Sequence, residues 1–422
     1  MSTLAIIALT AVTVFLVMFV VQNANSGERK LHYRIEPIRV DEPAFERAMA
    51  HLLGPPLMGG NRIECLLNGD EIFPAMLAAL RGAQKTITFE TYIYWSGKIG
   101  GEFADVLAER SAAGVRVHVL LDWVGSDKLD DAAMRKMRDA GVEIERYRPL
   151  RWYNLSRLNN RTHRKLLVVD GKIGFIGGVG VADVWLGHAQ SPDHWRDTHF
   201  RVEGPVVAHL QSGFLDNWMK TRADVLNDER YFPQLEPAGD QLAQVFKSSP
   251  REGSNSARLM FLMSIEAARE RILIANSYFV PDDRCIEALV SAARRGVAIE
   301  AIVPNHHTDI PLARRASRAR WGPLLEAGIA IYEYQPTMYH CKVMVIDHCW
   351  TTVGSANFDN RSFRLNDEAN LNALDEGMAA EQARIFQDDR AKAQQITLEM
   401  WRNRPRSEKI REALAALFRS QL

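Results

Sequence analysis

Two stretches of the chain carry the same side chains at the same intervals. HRKLLVVD occupies residues 163–170 and HCKVMVID occupies residues 340–347. Each presents His-x-Lys, four apolar residues and an acid: His163, Lys165 and Asp170, then His340, Lys342 and Asp347. Residues i and i+2 of an extended strand share a face, so each His stands beside its Lys while Arg164 and Cys341 point away. The apolar run continues as buried strand and fixes the polar pair at its mouth. An imidazole beside an ammonium suits an anion, and two such pairs facing each other would surround one phosphate. One imidazole, neutral, can attack phosphorus; the other, protonated, can give its proton to the leaving oxygen. The lysines offset charge on the equatorial oxygens, and His holds either protonation state near neutral pH. Chance supplies about one His-x-Lys in a chain of this size. It does not supply two with the same Asp offset and matching surroundings.

Beyond each Asp a strand-like stretch ends in a small-residue turn. It reads Gly177, Gly178, Val179, Gly180 in the first copy and Gly354, Ser355, Ala356, Asn357 in the second. Small residues there let backbone N–H groups and a hydroxyl approach an anion. Each half also supplies a later acid, Asp197 in HWRD and Glu368 in LNDEAN. Either can orient an imidazole through its second nitrogen; the plain alternative for each is a surface charge.

The elements that must position these groups also come twice. TITFETYIYW near Tyr92 and RILIANSYFVP near Tyr278 read as buried strands, each after a helical pattern, FPAMLAALRGAQ and FLMSIEAARE. LAERSAAGVRVHVLLD matches LVSAARRGVAIEAIVP, and RKMRDAGVEIERYRP matches GPLLEAGIAIYEYQP: helix, Gly, strand each time. Alternation of helix and strand predicts α/β domains with parallel-type sheets. The expected organisation is residues 1–25 as an apolar anchor, 26–60 as linker, 61–240 and 241–400 as two α/β domains, and 401–422 as an amphipathic helix. The turn formers near residues 236–256 mark the boundary between the domains.

The 422 residues carry zero net formal charge and ordinary composition, 47% apolar and 25% charged. That balance is unlike a protein built mainly to grip nucleic acid. Cys65, Cys285, Cys341 and Cys349 form no paired spacing and read as reduced thiols. Leu4–Val21 contains no charge, close to the roughly 20 residues that span a bilayer. No Lys or Arg precedes it, which favours an uncleaved anchor over a cleaved signal peptide. Arg29 and Lys30 follow it, which puts the body in the cytoplasm by the positive-inside bias.

The duplicated motif resembles that of the phospholipase D superfamily, His-x-Lys-x4-Asp-x6-Gly-(Ser/Gly)-x-Asn, and the likeness runs from about Asn68 to about Gly377. ETYIY at Glu90–Tyr94, HWRDTHFRVEGPVV at His194–Val207, NSYFVPD at Asn276–Asp282 and GSANFDNRSFRLNDEANL at Gly354–Leu371 look like its bacterial cardiolipin synthase branch. The resemblance implies two tandem phospholipase D-like domains in a pseudo-symmetric sandwich and no metal or other cofactor. It also implies an inner-membrane enzyme that moves a phosphatidyl group from one phosphatidylglycerol to another through a phosphohistidine, releasing glycerol. Carried over, His163 is the nucleophile and His340 the acid/base, although the repeat symmetry leaves that direction open. Lys165 and Lys342 bind phosphate, Ser355 and Asn357 complete the pocket with Gly178, Asp197 and Glu368 orient the imidazoles, and Asp170 and Asp347 brace the fold. The first copy departs from the pattern, with Gly180 in place of Asn.

Anionic phospholipid and a membrane are the partners that the rest of the chain suits. RYRPLRWYNLSRLNNRTHRK carries Arg146, Arg148, Arg151, Arg157, Arg161, Arg164 and Lys165 with Trp152 and Tyr153, a mix suited to anionic headgroups; a solvated loop or a nucleic-acid strip is the alternative. Arg314 and Arg318 lie one helical turn apart, as a second headgroup contact or a solvated face. Ile410, Leu414, Leu417 and Phe418 share one stripe of a C-terminal helix, which reads equally as interfacial or as packed on the core. His118, His306 and His307 lack ligand spacing. Phospholipid hydrolysis or another phospholipid donor uses the same scaffold. A nuclease fits the net charge and apolar terminus poorly, and a binding module without chemistry fits two intact His-Lys pairs poorly.

Overall fold

The computed structural model describes residues 2–24, 34–150, 159–250 and 256–421. Arg29, Lys30, Arg151, Trp152, Tyr153 and Arg157, which carry part of the lipid-facing expectation, lie outside the described residues. α1 (Thr3–Ala24) and α2 (Pro43–Leu53) precede the first repeat. That repeat runs β1 (Met58–Leu67), α3 (Asn68–Gly82), β2 (Thr86–Thr91), α4 (Lys98–Ala112), β3 (Arg116–Asp122), α5 (Asp131–Asp139), β4 (Glu143–Tyr147), β5 (Leu166–Val169), β6 (Ile173–Gly177), β7 (Thr198–Glu203) and α6 (Val207–Arg222). The second runs β8 (Gln241–Ser248), α7 (Ser256–Ala267), β9 (Arg271–Asn276), α8 (Asp283–Arg294), β10 (Ala298–Pro304), α9 (Pro311–Arg318), α10 (Trp321–Glu326), β11 (Ala330–Tyr334), β12 (Lys342–Ile346), β13 (Trp350–Gly354), α11 (Asn360–Arg364), β14 (Glu368–Leu374) and α12 (Glu376–Arg390). β15 (Ala393–Ile396), α13 (Leu398–Asn403) and α14 (Arg406–Ala416) close the chain.

The strands join in the order β15-β11-β10-β9-β12-β13-β14-β8-β1-β7-β6-β5-β2-β3-β4. The order reads alike outward from the β1–β8 seam, so the repeat in sequence is a repeat in space. Only β2-β3-β4 and β9-β10-β11 are parallel; β5 to β7 and β12 to β14 are antiparallel. The parallel-type sheets expected from the alternation are thus mixed sheets, parallel in those strands alone. Helices connect the parallel strands, whereas the short turn after each His-x-Lys strand can only fold it back antiparallel.

Alternation along the motif strands divides the core. Leu167 and Val169 face the helices of the first half, and Met344 and Ile346 those of the second. Leu166, Val168, Val343 and Val345 face a shared middle layer built from both halves. The halves therefore share a middle layer through the strand faces opposite to those of the His–Lys pairs, with most helices outside.

Asp170 and Asp347, the acids of the motif, each hold the turn that follows it. Asp170 accepts the N–H groups of Gln84, Lys85 and Thr86 at 2.9, 2.7 and 2.8 Å. Asp347 accepts those of Arg269, Glu270 and Arg271. Both sit in the left-handed region, φ 53° and 52°, in the turn after the motif strand. They tie that turn to the start of the neighbouring strand and line no part of the cleft. The N-terminal helix expected to span a membrane is present over 22 residues without a charge. Several of its side chains are outside the described set, and among the described residues no helix is long and apolar enough to cross a membrane.

Asp170→Ala strands three N–H donors, so unfolding by denaturant should show a loss of about 2–3 kcal/mol, with the cleft unchanged in the surviving folded protein.

Candidate active site

Backbone bonds between the halves set the site. The His163 N–H donates to the Asp367 carbonyl at 2.8 Å, and the Asp367 N–H donates to the Arg161 carbonyl at 2.9 Å. In the mirror position the His340 N–H donates to the Arg196 carbonyl at 2.7 Å, and the Arg196 N–H to the Met338 carbonyl at 2.9 Å. Each motif histidine thus lies against the residue that precedes the other half's acid. Glu368 carries both oxygens to His163 Nδ1 at 3.1 Å, and Asp197 brings Oδ2 to His340 Nδ1 at 2.7 Å. The two late acids do orient imidazoles, and each serves the histidine of the opposite repeat.

The acids are held in turn. Glu368 accepts from Ser355 Oγ at 2.5 Å, from Ser362 Oγ at 2.8 Å and from Asn366 at 3.4 Å. Asp197 accepts the Thr198 N–H at 2.8 Å and the Trp185 indole N–H at 3.0 Å. Gly178 makes room for that carboxylate, since a Cβ on it would lie 2.2 Å from Asp197 Oδ1. The small-residue turns do not cradle an anion as expected. The N–H groups of Gly178, Ser355 and Asn357 donate to Thr198, Ala369 and Ser362, and Ser355 supports Glu368 rather than the cleft wall. Gly180 has Ile93 Cβ within 2.9 Å of where its own Cβ would be, so an Asn there has no space.

His163, Lys165, His340 and Asn357 line one cleft of about 420 Å³. Tyr92, Trp195, Tyr278, Asp309, Asp359 and Gln421 line it too, none of which was singled out for the site from sequence. Tyr92 and Tyr278 occupy equivalent places in the repeats, edge-on to His163 at 5.3 Å and His340 at 6.3 Å; repeat symmetry was the signal that could have found them. Lys342 lies behind His340, donating to Ser277 Oγ at 2.9 Å and the His340 carbonyl at 2.8 Å. Lys165 donates to the His163 carbonyl at 2.8 Å. Among the described residues no cluster of His, Cys, Asp or Glu is arranged to hold a metal ion.

Burial dominates the electrostatics. It pushes His163 down to about 4 against the opposing pull of Glu368, and it lowers His340, helped by Lys342 and opposed by Asp197. Lys165 falls to about 7 through burial and the nearby Lys342, and burial lowers Lys342 as well. For Glu368 and Asp197 burial works the other way, yet their histidines, the lysines and the donors just described hold both below the ordinary carboxylate range. The arrangement is two imidazoles oriented through Nδ1 beside two lysines at one cleft, with Lys342 Nζ also 3.4 Å from His340 Nε2. It can take a phosphodiester between nucleophile and proton donor.

Residues 76–184 and 261–390 match the family described as "Cardiolipin synthase, PLD-like domain". This chain belongs to the cardiolipin synthase family. Cardiolipin synthase A of Pseudomonas fluorescens (strain SBW25) is 36% identical over 373 residues, 88% of this chain and 77% of that protein. Cardiolipin synthase A of Pseudomonas syringae pv. syringae (strain B728a) is 36% identical over 362 residues, 86% and 75% of the two chains. Among solved structures, a phosphatidylserine synthase from Haemophilus influenzae Rd KW20 shares the fold, with TM-score 0.69 at 15% identity, covering 90% of this chain and all of its own. A polyphosphate kinase from Porphyromonas gingivalis shares it at TM-score 0.53 and 14% identity, over 89% of this chain and 54% of its own.

Trp185→Phe keeps the ring beside His340 and deletes its bond to Asp197. Asp197 then holds the imidazolium proton more tightly, so the limb of the pH–rate profile that reports His340 should move to higher pH, with Trp185→Ala losing far more activity.

Proposed function

We propose that the chain makes cardiolipin from two molecules of phosphatidylglycerol, with His163 as nucleophile. The observation that carries the reading is the pair of imidazoles from opposite repeats lining one cleft, each with a buried carboxylate behind it. His163 Nε2 attacks the phosphodiester phosphorus, and the P–O bond to the glycerol headgroup breaks as His340 gives its proton to that oxygen. Glycerol leaves and a phosphatidyl-histidine remains. The headgroup hydroxyl of a second phosphatidylglycerol gives its proton to His340 and attacks phosphorus, and the P–N bond breaks. One phosphodiester replaces another, so no nucleotide is consumed. The shorter bond from Asp197 supports an imidazolium on His340, whereas His163, shared between two more distant oxygens and neutral above about 4, suits attack. Lys165, in the wall, neutralises the phosphate, with Lys342 behind it.

The membrane anchor belongs to the same reading. α1 has 22 residues, about 33 Å at 1.5 Å per residue, which matches a hydrocarbon core. Ile6, Ile7, Leu9, Phe15 and Met18 each leave more than half of their surface uncovered, as an apolar helix destined for lipid would. Arg29 and Lys30 favour a catalytic body on the cytoplasmic side of the inner membrane. Arg314 and Arg318 fit the reading less well than expected. Both donate to Glu333 at 2.7 Å, and Arg318 also to Glu412, so they brace the fold instead of meeting a headgroup.

Incubation with phosphatidylglycerol vesicles and mass analysis of the products should give cardiolipin and glycerol; phosphatidic acid in their place makes the chain a hydrolase. His163→Ala and His340→Ala should each lose about a thousandfold or more in rate, and undiminished turnover in either variant sinks the mechanism. The charges fix the pH dependence. The reaction needs neutral His163, present above about 4, a protonated His340, whose titration burial and Lys342 move below its ordinary value, and charged Lys165, lost as pH passes about 7. kcat/KM for phosphatidylglycerol should therefore rise through about 4 and fall as His340 loses its proton, before Lys165 does.

A further inference from the structure

The last helix turns its large apolar side chains away from the protein. α14 docks on α9 through Ala415, buried with Ala316 and Val280, and through Glu412, which accepts from Arg318 at 3.0 Å and Arg404 at 2.6 Å. On the other side Ile410, Leu414, Leu417 and Phe418 are 62%, 57%, 75% and 56% exposed. A helix kept only for packing buries its large apolar groups and shows its charges. Here a carboxylate and an alanine are inside, and four large apolar groups are outside. α9 extends the ridge with Leu312, and Ile310 precedes it, both also exposed.

The ridge runs into the active-site mouth. Ile310 and Gln421 are part of the cleft wall. Arg361, in the same wall, donates to the Gln421 carbonyl at 3.3 Å and to Asn159 Oδ1 at 2.8 Å, and Asn360 donates to the Arg419 carbonyl at 3.2 Å. These bonds pin the C-terminal tail at the opening. Val124, exposed on the opposite lip, also lines the cleft. Lys409 and Arg411 are exposed next to the ridge residues in α14.

We propose that this ridge is the surface by which the catalytic body rests on an anionic bilayer. Ile410, Leu414, Leu417 and Phe418 enter the headgroup–acyl boundary while Lys409 and Arg411 meet the headgroups. A lipid then passes from the membrane into the cleft along apolar contacts, without crossing water. The proposal rests on the lipid-substrate reading above. A second copy of the chain on this stripe is the other occupant, and the test separates it from a bilayer.

The test uses the full chain reconstituted in vesicles of phosphatidylglycerol and phosphatidylcholine. A photoreactive benzoylphenylalanine replacing Leu417 should give a lipid adduct on illumination. Absence of lipid adduct, or a protein–protein adduct alone, overturns the proposal. The Leu414→Glu, Leu417→Glu, Phe418→Glu triple variant should lose at least about tenfold in turnover of vesicle phosphatidylglycerol, yet stay within about twofold of the unaltered protein on monomeric short-chain phosphatidylglycerol, which also reports folding. Equal turnover on vesicles overturns the proposal too. The adduct forms without catalysis, so a protein that crosslinks to lipid but makes no cardiolipin counts against the proposed activity and leaves the ridge standing.

Discussion

Each imidazole in the cleft is braced by a carboxylate that the other repeat supplies, and much of the structure serves that exchange. Glu368 can reach His163 because Asp367 is bonded through its backbone to Arg161 and His163. Asp197 can reach His340 because Arg196 is bonded through its backbone to Met338 and His340. The β1–β8 seam and the middle layer shared by Leu166, Val168, Val343 and Val345 keep those bridges in register. Neither motif histidine takes its carboxylate from its own repeat.

The two pairs are built alike but are not equal. His340 sits among Trp185, Trp195 and Tyr278, with Lys342 tied to Ser277 behind it. His163 has Tyr92, and the place where an Asn would stand in its half is closed by Ile93 against Gly180. Symmetric groups in unlike surroundings titrate differently, and a nucleophile and a proton donor need that difference. The closure at Gly180 is part of it, since Asn357 of the second half lines the cleft and no amide stands at the matching place in the first.

The motif segments were legible in the sequence because His-x-Lys and its apolar run are local and repeated. The repeat also revealed the order of helix and strand. The direction of β5 to β7 was not legible, because alternation says nothing about whether a connection crosses over or folds back. Asp197 and Glu368 could be picked out as orienting acids, but their exchange between halves depends on contacts between residues separated by 143 and 205 positions. Ser355 looked like an anion donor from its small neighbours, and only the placement of Glu368 turned its hydroxyl inward. The C-terminal stripe suited two opposite orientations, and the buried Glu412 and Ala415 decide between them.

Placing the acid for His163 in the second repeat also orders events during synthesis. The first half leaves the ribosome with its histidine in place and nothing behind it, because residue 368 has yet to be translated. The Arg361 clasp on the tail forms later still, once residue 421 has emerged. A nascent chain, or a fragment cut short by a premature stop before Glu368, therefore carries His163 without the carboxylate that meets it.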